Sequence, residues 1–256
     1  TPSAVVYSDA GAGVGYTYMR IRGTDGSRTN VTINGVPLND PESQGVFWVN
    51  MPDFLSSTTD VQIQRGVGTS TNGAGAFGAS INLNTTNIQK EAYGAVNLSG
   101  GSFNTRRANV EFGSGLIGGK FTFDGRLSKI ESDGYIDRAS SDLSSFFASA
   151  AYLGETSSLR LTVFSGQEVT YQAWNGVPYE LRNIRHSDDG LDRTFNDAGT
   201  DFGSKAGDPY DNEVDDYQQT HVQLHFNKML SRNWHFTAAG HYTRGQGFFE
   251  QYKTDE

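Results

Sequence analysis

Between residues 91 and 249 the chain repeats one pattern seven times, a run in which apolar and polar side chains strictly alternate. In residues 120 to 128, Phe121, Phe123, Gly125 and Leu127 share one face of an extended strand, and Lys120, Thr122, Asp124, Arg126 and Ser128 share the other. The same holds for Val222, Leu224 and Phe226 against His221, Gln223, His225 and Asn227. It holds again for Trp234, Phe236, Ala238, Gly240 and Tyr242 against His235, Thr237, His241 and Thr243. The runs lie near residues 91 to 101, 105 to 114, 119 to 131, 143 to 153, 157 to 170, 214 to 229 and 233 to 249. A one-residue slip exchanges the two faces, so each strand is committed to one dry side and one wet side.

The connections between these runs are sorted by length. Those near 115 to 118, 154 to 156 and 230 to 232 are tight, whereas those near 132 to 142 and 171 to 213 are long and polar. Residues 102 to 104 are a short member of the long set. Short turns at one end and longer loops at the other is the pattern of an outer-membrane barrel, and a soluble sandwich has less reason to sort its loops this way. Mean hydropathy is -0.52, but a polar lumen and wet loops hide a lipid belt in any such average. No apolar run approaches the ~18 residues of a spanning helix. A net charge of -9 disfavours a nucleic-acid partner. The absence of cysteine disfavours a disulfide framework or a thiolate metal site.

Before residue 88 the grammar differs. Residues 60 to 86 read as strand, glycine-rich loop, strand: Val61 and Ile63 alternate with polar neighbours into Arg65-Gly66, and Ile81 and Leu83 alternate again. Gly73, Gly75 and Gly78 carry a dinucleotide-type spacing, but the residues after Gly78 are β-like, and that fingerprint needs a helix N-terminus there. Residues 16 to 23 form another strand ending in Ile21-Arg22-Gly23. Asp25-Gly26-Ser27 marks a turn, Asn34-Gly35 a tight hairpin, and residues 51 to 57 a short helix started by Pro52.

On the Ile21-Arg22-Gly23 strand, the Arg65-Gly66 dipeptide, the small-residue loop and the Ile81-Asn82-Leu83 exit, the first 88 residues resemble the C-terminal part of the plug domain of TonB-dependent outer-membrane receptors, of a Bacteroidetes-type member. The resemblance implies an α+β plug over residues 1–88 followed by antiparallel transmembrane β-barrel strands over 89–256. About seven strands of an expected ~22 are present, because a folded plug needs the large barrel class. The chain is thus expected to be an internal piece: the energy-coupling box and first plug strands are expected upstream. The remaining barrel is expected downstream of a polar end that lacks the usual terminal aromatic.

The resemblance also implies a function. Such a receptor imports a scarce nutrient (a ferric siderophore, cobalamin or an oligosaccharide) across the outer membrane of a Gram-negative bacterium, is not an enzyme, and works with the TonB complex of the inner membrane. It further implies that Arg22 and Arg65 face lumenal glutamates of the barrel. Asp25, Ser27, Arg28, Ser43, Gln44, Phe47 and Trp48 are implied to lie at the outward apex, with Phe47 and Trp48 at its tip and one ring facing ligand while the other anchors the loop. Two rivals remain: a non-transporting outer-membrane adhesin or receptor barrel, and a secreted all-β carbohydrate-binding module.

Two further constellations have plainer readings. Residues 188 to 216 hold ten acids against Arg193 and Lys205. That density of oxygen ligands suits Ca²⁺, yet the spacing of a calcium loop is missing and a solvated loop is the simpler account, so no cofactor is expected. His221 and His241 stand opposite each other if their hairpin centres on Ser231. They lack a visible third ligand, and no metal site is expected.

Overall fold

The computed structural model describes residues 3–67, 77–85, 88–136, 138–173 and 212–251. Two short strands, β1 (Ala4–Ser8) and β2 (Thr17–Ile21), form a hairpin. A four-stranded mixed sheet follows, built from β3 (Thr29–Ile33), β4 (Val36–Pro37), β5 (Asp60–Arg65) and β6 (Ala79–Asn84) in the spatial order β4-β3-β6-β5. β3 and β6 run parallel, while β4 and β5 flank them antiparallel. The β3–β4 hairpin turns on Asn34 and Gly35, both at positive φ (53° and 81°), as a primed turn requires. Because β6 begins at Ala79, the glycine spacing before it opens a strand and not a helix.

The short helix expected over residues 51 to 57 is corrected. Among the described residues the helical segments are single 3₁₀ turns, at Gly26–Arg28, Trp48–Asn50 and Phe54–Ser57. Asp53 sits in the left-handed region (φ 56°), which breaks any run through Pro52 and starts the last turn after it.

From Tyr93 the chain runs through seven strands, β7 (Tyr93–Gly100), β8 (Arg106–Gly113), β9 (Phe121–Ser132), β10 (Ser141–Leu153), β11 (Ser157–Tyr171), β12 (Val214–Ser231) and β13 (Trp234–Phe249). Each pairs antiparallel with its chain neighbour, and β7 and β13 are the two edges of one open sheet. The connections 114–120, 154–156 and 232–233 lie at one end of this wall. Those at 101–105, 133–140 and 172–213 lie at the other, most of the last being outside the described residues.

The wall is inverted relative to a soluble sheet. Phe121, Phe123 and Leu127 are 45%, 52% and 58% exposed on its outer face, as are Leu98, Phe112 and Leu161. Asn109, Thr122, Arg126, Ser128, Thr162 and Gln223 are buried on the inner one. The parity read from residues 120 to 128 is therefore the one observed within β9, and the reason is energetic: the opposite register puts Arg126 outside, at up to ~2 to 4 kcal/mol in hydrocarbon.

The core lies between the two units. Ile21, Val31, Ile33, Met51, Phe54, Ile81 and Leu83 of the N-terminal unit close on Phe147 and Phe164, which β10 and β11 point inward. Gly166 admits the loop at residues 50 to 52 against β11, since a Cβ there would stand 2.2 Å from the Asn50 carbonyl oxygen and 2.5 Å from Pro52 Cδ. Gly166→Ala is expected to cost about 1 to 3 kcal/mol by displacing that loop. Thermal unfolding of the purified protein checks it, and an unchanged midpoint would show that the loop has room to yield.

Candidate functional site

The densest polar contact between the two units is centred on Asp53. Its left-handed backbone aims the carboxylate at the wall, where β8 and β9 present three donors. Arg107 reaches Oδ1 through Nε at 3.0 Å and Nη2 at 2.9 Å. Asn109 Nδ2 and the Ser128 hydroxyl donate to Oδ2 at 3.0 and 2.6 Å. Ser56 donates to Oδ1 from within the turn. Arg126 Nη1 stands 3.6 Å from Oδ2, and its Nε and Nη1 donate to Ser57 and Ser145. The Ser145 hydroxyl in turn donates to the Pro52 carbonyl at 2.6 Å. Burial alone pushes the Asp53 carboxyl pKa up, but the donors from Ser128, Asn109, Arg107 and Ser56 outweigh it and hold the group below the usual carboxylate range.

This latch was not read from the sequence, which placed plug arginines against barrel glutamates. Here the polarity is reversed, with an acid on the N-terminal unit and arginines on the wall. The available signal was that Arg107 and Arg126 both fall on wet strand faces, where a buried cation needs an anionic partner.

Arg22 and Arg65 are exposed. The Arg22 guanidinium lies over Gly66, 3.5 Å from where a Cβ there would stand, so the two Arg-Gly dipeptides meet in space although 43 residues separate them (65 minus 22). The proposed apex residues divide into three groups. Asp25, Ser27 and Arg28 form one 3₁₀ turn, in which Asp25 accepts from the Ser27 amide and hydroxyl and faces Arg28 at 4.0 Å. Ser43 and Gln44 belong to a loop folded on Asp40 and Asn39: Asp40 accepts the Ser43 amide, and Asn39 donates to the Gln44 carbonyl. Phe47 is exposed, whereas Trp48 is half-buried against the core. Asp25 and Trp48 line one cavity of about 160 Å³ with Tyr7, Tyr18 and Arg20. Ser43, Gln44 and Phe47 stand outside it.

A second loop, missed in the sequence, reaches the end of the wall that carries the long connections. Residues 9 to 16 leave β1 and enter β2 with Gly11, Gly13 and Gly15 all at positive φ. Gly15 faces Ser141 and Thr170, Gly11 faces Tyr135, and the Tyr16 hydroxyl donates to Asp215 at 2.5 Å. Burial, with the charges of Glu168 and Asp215, raises the Tyr16 pKa far above its ordinary value. Tyr18 stacks on Tyr7 at 5.0 Å and donates to Asp9. Burial lifts the Asp9 carboxyl despite that donor. The legible signal was the Gly-Ala-Gly-Val-Gly run, with the periodicity of a backbone turn at close quarters.

The histidine pairing is corrected. His221 pairs with Thr243 and His241 with Gln223, because the hairpin turns on residues 232–233 with a bulge at 229–231. His221 stacks on Phe164 at 4.6 Å, and its ring nitrogens meet Gln219 and Thr243. Among the described residues no three His, Asp, Glu or Cys side chains converge as a metal set. Of the acidic run, Asp188 to Asp211 lie outside the described residues.

Residues 1–80 match the family described as the TonB-dependent Receptor Plug Domain. A search of curated proteins found no match. Among solved structures, the unliganded ferric citrate transporter FecA is similar over 98% of this chain and 37% of its own, at 15% identity and a TM-score of 0.70. The receptor FpvA from Pseudomonas aeruginosa PAO1, bound to pyoverdine, matches 98% of this chain and 34% of its own at 16% identity and TM-score 0.69. The open form of the ferric-catecholate import receptor Fiu from E. coli K12 matches 97% and 39% at 17% identity and TM-score 0.66. The chain thus spans well under half the length of each.

Proposed function

We propose, from the premise that this chain is the plug and adjoining barrel strands of a TonB-dependent receptor, that the intact protein lies in the outer membrane of a Gram-negative bacterium and actively imports a scarce nutrient. The observation that carries this reading is the inverted wall. Its apolar side chains face outward where a soluble protein has none to spare, and its polar inner face is occupied by a folded domain. A pore filled in this way conducts nothing until the plug moves, so energy must be supplied, and the TonB complex is the partner that supplies it. The three similar receptors are described with ferric citrate, pyoverdine and ferric catecholate, which favours a ferric siderophore over cobalamin or an oligosaccharide.

The test is uptake of radiolabelled iron as ferric citrate and as a ferric catecholate, compared in strains with and without the receptor and with the TonB complex inactivated. Uptake that needs both supports the reading. Surface binding with no energy-dependent uptake points instead to an adhesin, and release into buffer without detergent to a secreted module.

The two apex rings should separate in the same assay. Trp48→Ala removes a half-buried side chain packed against the apolar core and is expected to lower stability by about 2 to 3 kcal/mol. Phe47→Ala is expected to leave the melting temperature unchanged while weakening ferric chelate binding. Wild-type affinity and stability in both variants would remove residues 39 to 50 from the binding surface.

A further inference from the structure

The loop at residues 9 to 16 closes over an acid of the wall. Glu168 on β11 is fully buried. Its Oε2 accepts the Thr170 hydroxyl at 3.0 Å, and its Oε1 has no hydrogen-bond partner. Asp215 stands on β12 directly across from Thr170, so it lies diagonal to Glu168 on the same face of the sheet. The Tyr16 hydroxyl reaches both acids from the loop, but it carries one proton and gives it to Asp215 at 2.5 Å. Two carboxyls therefore compete for one donor.

The lid over them is backbone. Gly15 is buried so close to the wall that a Cβ there would stand 2.5 Å from the Ser141 hydroxyl oxygen and 3.6 Å from Thr170 Cγ2. The other anchors of the loop do not titrate: the Tyr135 and Ile136 amides donate to the Ala10 carbonyl at 2.8 and 3.2 Å, and Ala10 packs on Ala139 and Ala173. Seating the loop strips water from Glu168, and lifting it returns that water.

Glu168 meets no positive charge among the described residues. Tyr16 and Tyr18 face it from the plug, and Asp215 and Asp216 act on it from β12. Ser141 and Leu143 are the neighbours on β10, and the nearby Arg138 lies over the Tyr171 ring instead. A buried carboxylate with a vacant oxygen beside a second acid is costly in its charged form. A proton on Glu168 removes one of the two like charges and supplies the missing donor. These rungs stand above the lipid belt, since Asp142 and Asp216 flank Val169 on the outward side. Burial, with the charge of Asp215, holds the Glu168 proton above the ordinary carboxylate range.

We propose that a proton held between Glu168 and Asp215 fastens the loop at residues 9 to 16 to the wall, which makes this loop a pH-sensitive clasp, shut in acid and eased as pH rises. On release the proton passes to the solvent at the long-loop end, leaving two carboxylates under the single Tyr16 donor. The proposal needs only the plug seated on the wall and holds whatever solute is imported, so failure of the import reading would leave it standing.

The sign follows from the raised carboxyl. The stabilisation is complete below the ordinary value of 4.5 and is lost as pH rises above it, until the raised value is passed. The experiment is hydrogen–deuterium exchange of the intact receptor in detergent from pH ~5 to ~9, read by mass spectrometry on the peptide holding residues 9 to 16 and divided by the intrinsic exchange rate at each pH. Wild-type protection should fall by up to about tenfold per pH unit, the limit for one linked proton. Glu168→Gln, which keeps a donor at every pH, should hold its protection level across the range. Asp215→Asn removes the neighbouring charge, so its protection should level off at lower pH with a smaller total loss. Asp9 is bonded within the hairpin to Tyr18 and stays so when the loop lifts, so Asp9→Asn should fall as wild type does. Wild-type protection independent of pH overturns the proposal. A fall in Glu168→Gln parallel to wild type, or a fall abolished by Asp9→Asn, assigns the proton elsewhere and overturns it too.

Discussion

Asp53→Ala is expected to weaken the attachment of the plug to the wall by about 3 to 5 kcal/mol, the typical cost of removing one partner from a buried ionic contact. Both sides lose. Arg107, Asn109 and Ser128 are left without the carboxylate they share, and Arg126, itself buried, loses its nearest anion. Differential scanning calorimetry of the detergent-solubilised receptor should show the plug melting earlier while the barrel transition stays in place. A midpoint within a degree of wild type would mean that water replaces the carboxylate without loss.

The same group makes the attachment pH-dependent, and the sign follows from its pKa. The folded carboxyl titrates below its ordinary value of 3.8, so the folded state binds fewer protons than the unfolded one near that pH. The stabilisation is then complete above the unfolded value and is lost as pH falls through the folded one. Acidification below pH ~4 should loosen the wild-type plug, and Asp53→Asn should flatten this part of the profile. An acid limb of equal slope in both proteins would assign it to other carboxylates.

Phe54→Ala is expected to cost about 3 to 5 kcal/mol, as for other buried aromatic truncations. The ring is the apolar counterpart of the latch, one residue further along. It meets Phe164 at 4.9 Å and Phe147 edge-on at 6.4 Å, and it joins both to the plug core. Truncation leaves a cavity at the junction of the two units, which the rigid barrel strands cannot collapse to fill. Phe54→Leu keeps most of the volume and should lose less than half as much, though it forfeits the aromatic contacts. Equal losses for Ala and Leu would mean that ring geometry, and not filled volume, holds the junction.

The sequence by itself determined the elements whose information is local. Alternation placed seven strands within about two residues of their observed ends and, in β9, fixed which side faces outward, since a period of two leaves only two choices and the charge of Arg126 excludes one. Asn34-Gly35 specified its hairpin because both residues tolerate positive φ. The plug motif identified the first unit, and residues 1–80 match that family. The register of the last hairpin was not legible, because a bulge at residues 229–231 moves every later partner and leaves no mark in the alternation.

The latch was beyond reach for a different reason. Asp53 meets Arg107, Asn109 and Ser128 across 54, 56 and 75 residues, and nothing local announces those distances. In the sequence Asp53 reads as the polar residue after a proline. Its left-handed backbone and its carboxylate's direction are set by packing Pro52 over Gly166 and Phe54 between Phe147 and Phe164. Only when those apolar contacts have brought the two units together does an acid on one face three donors on the other. Tertiary structure therefore decided where the plug is held, through an ion pair whose members have no relation in the chain until the core has formed.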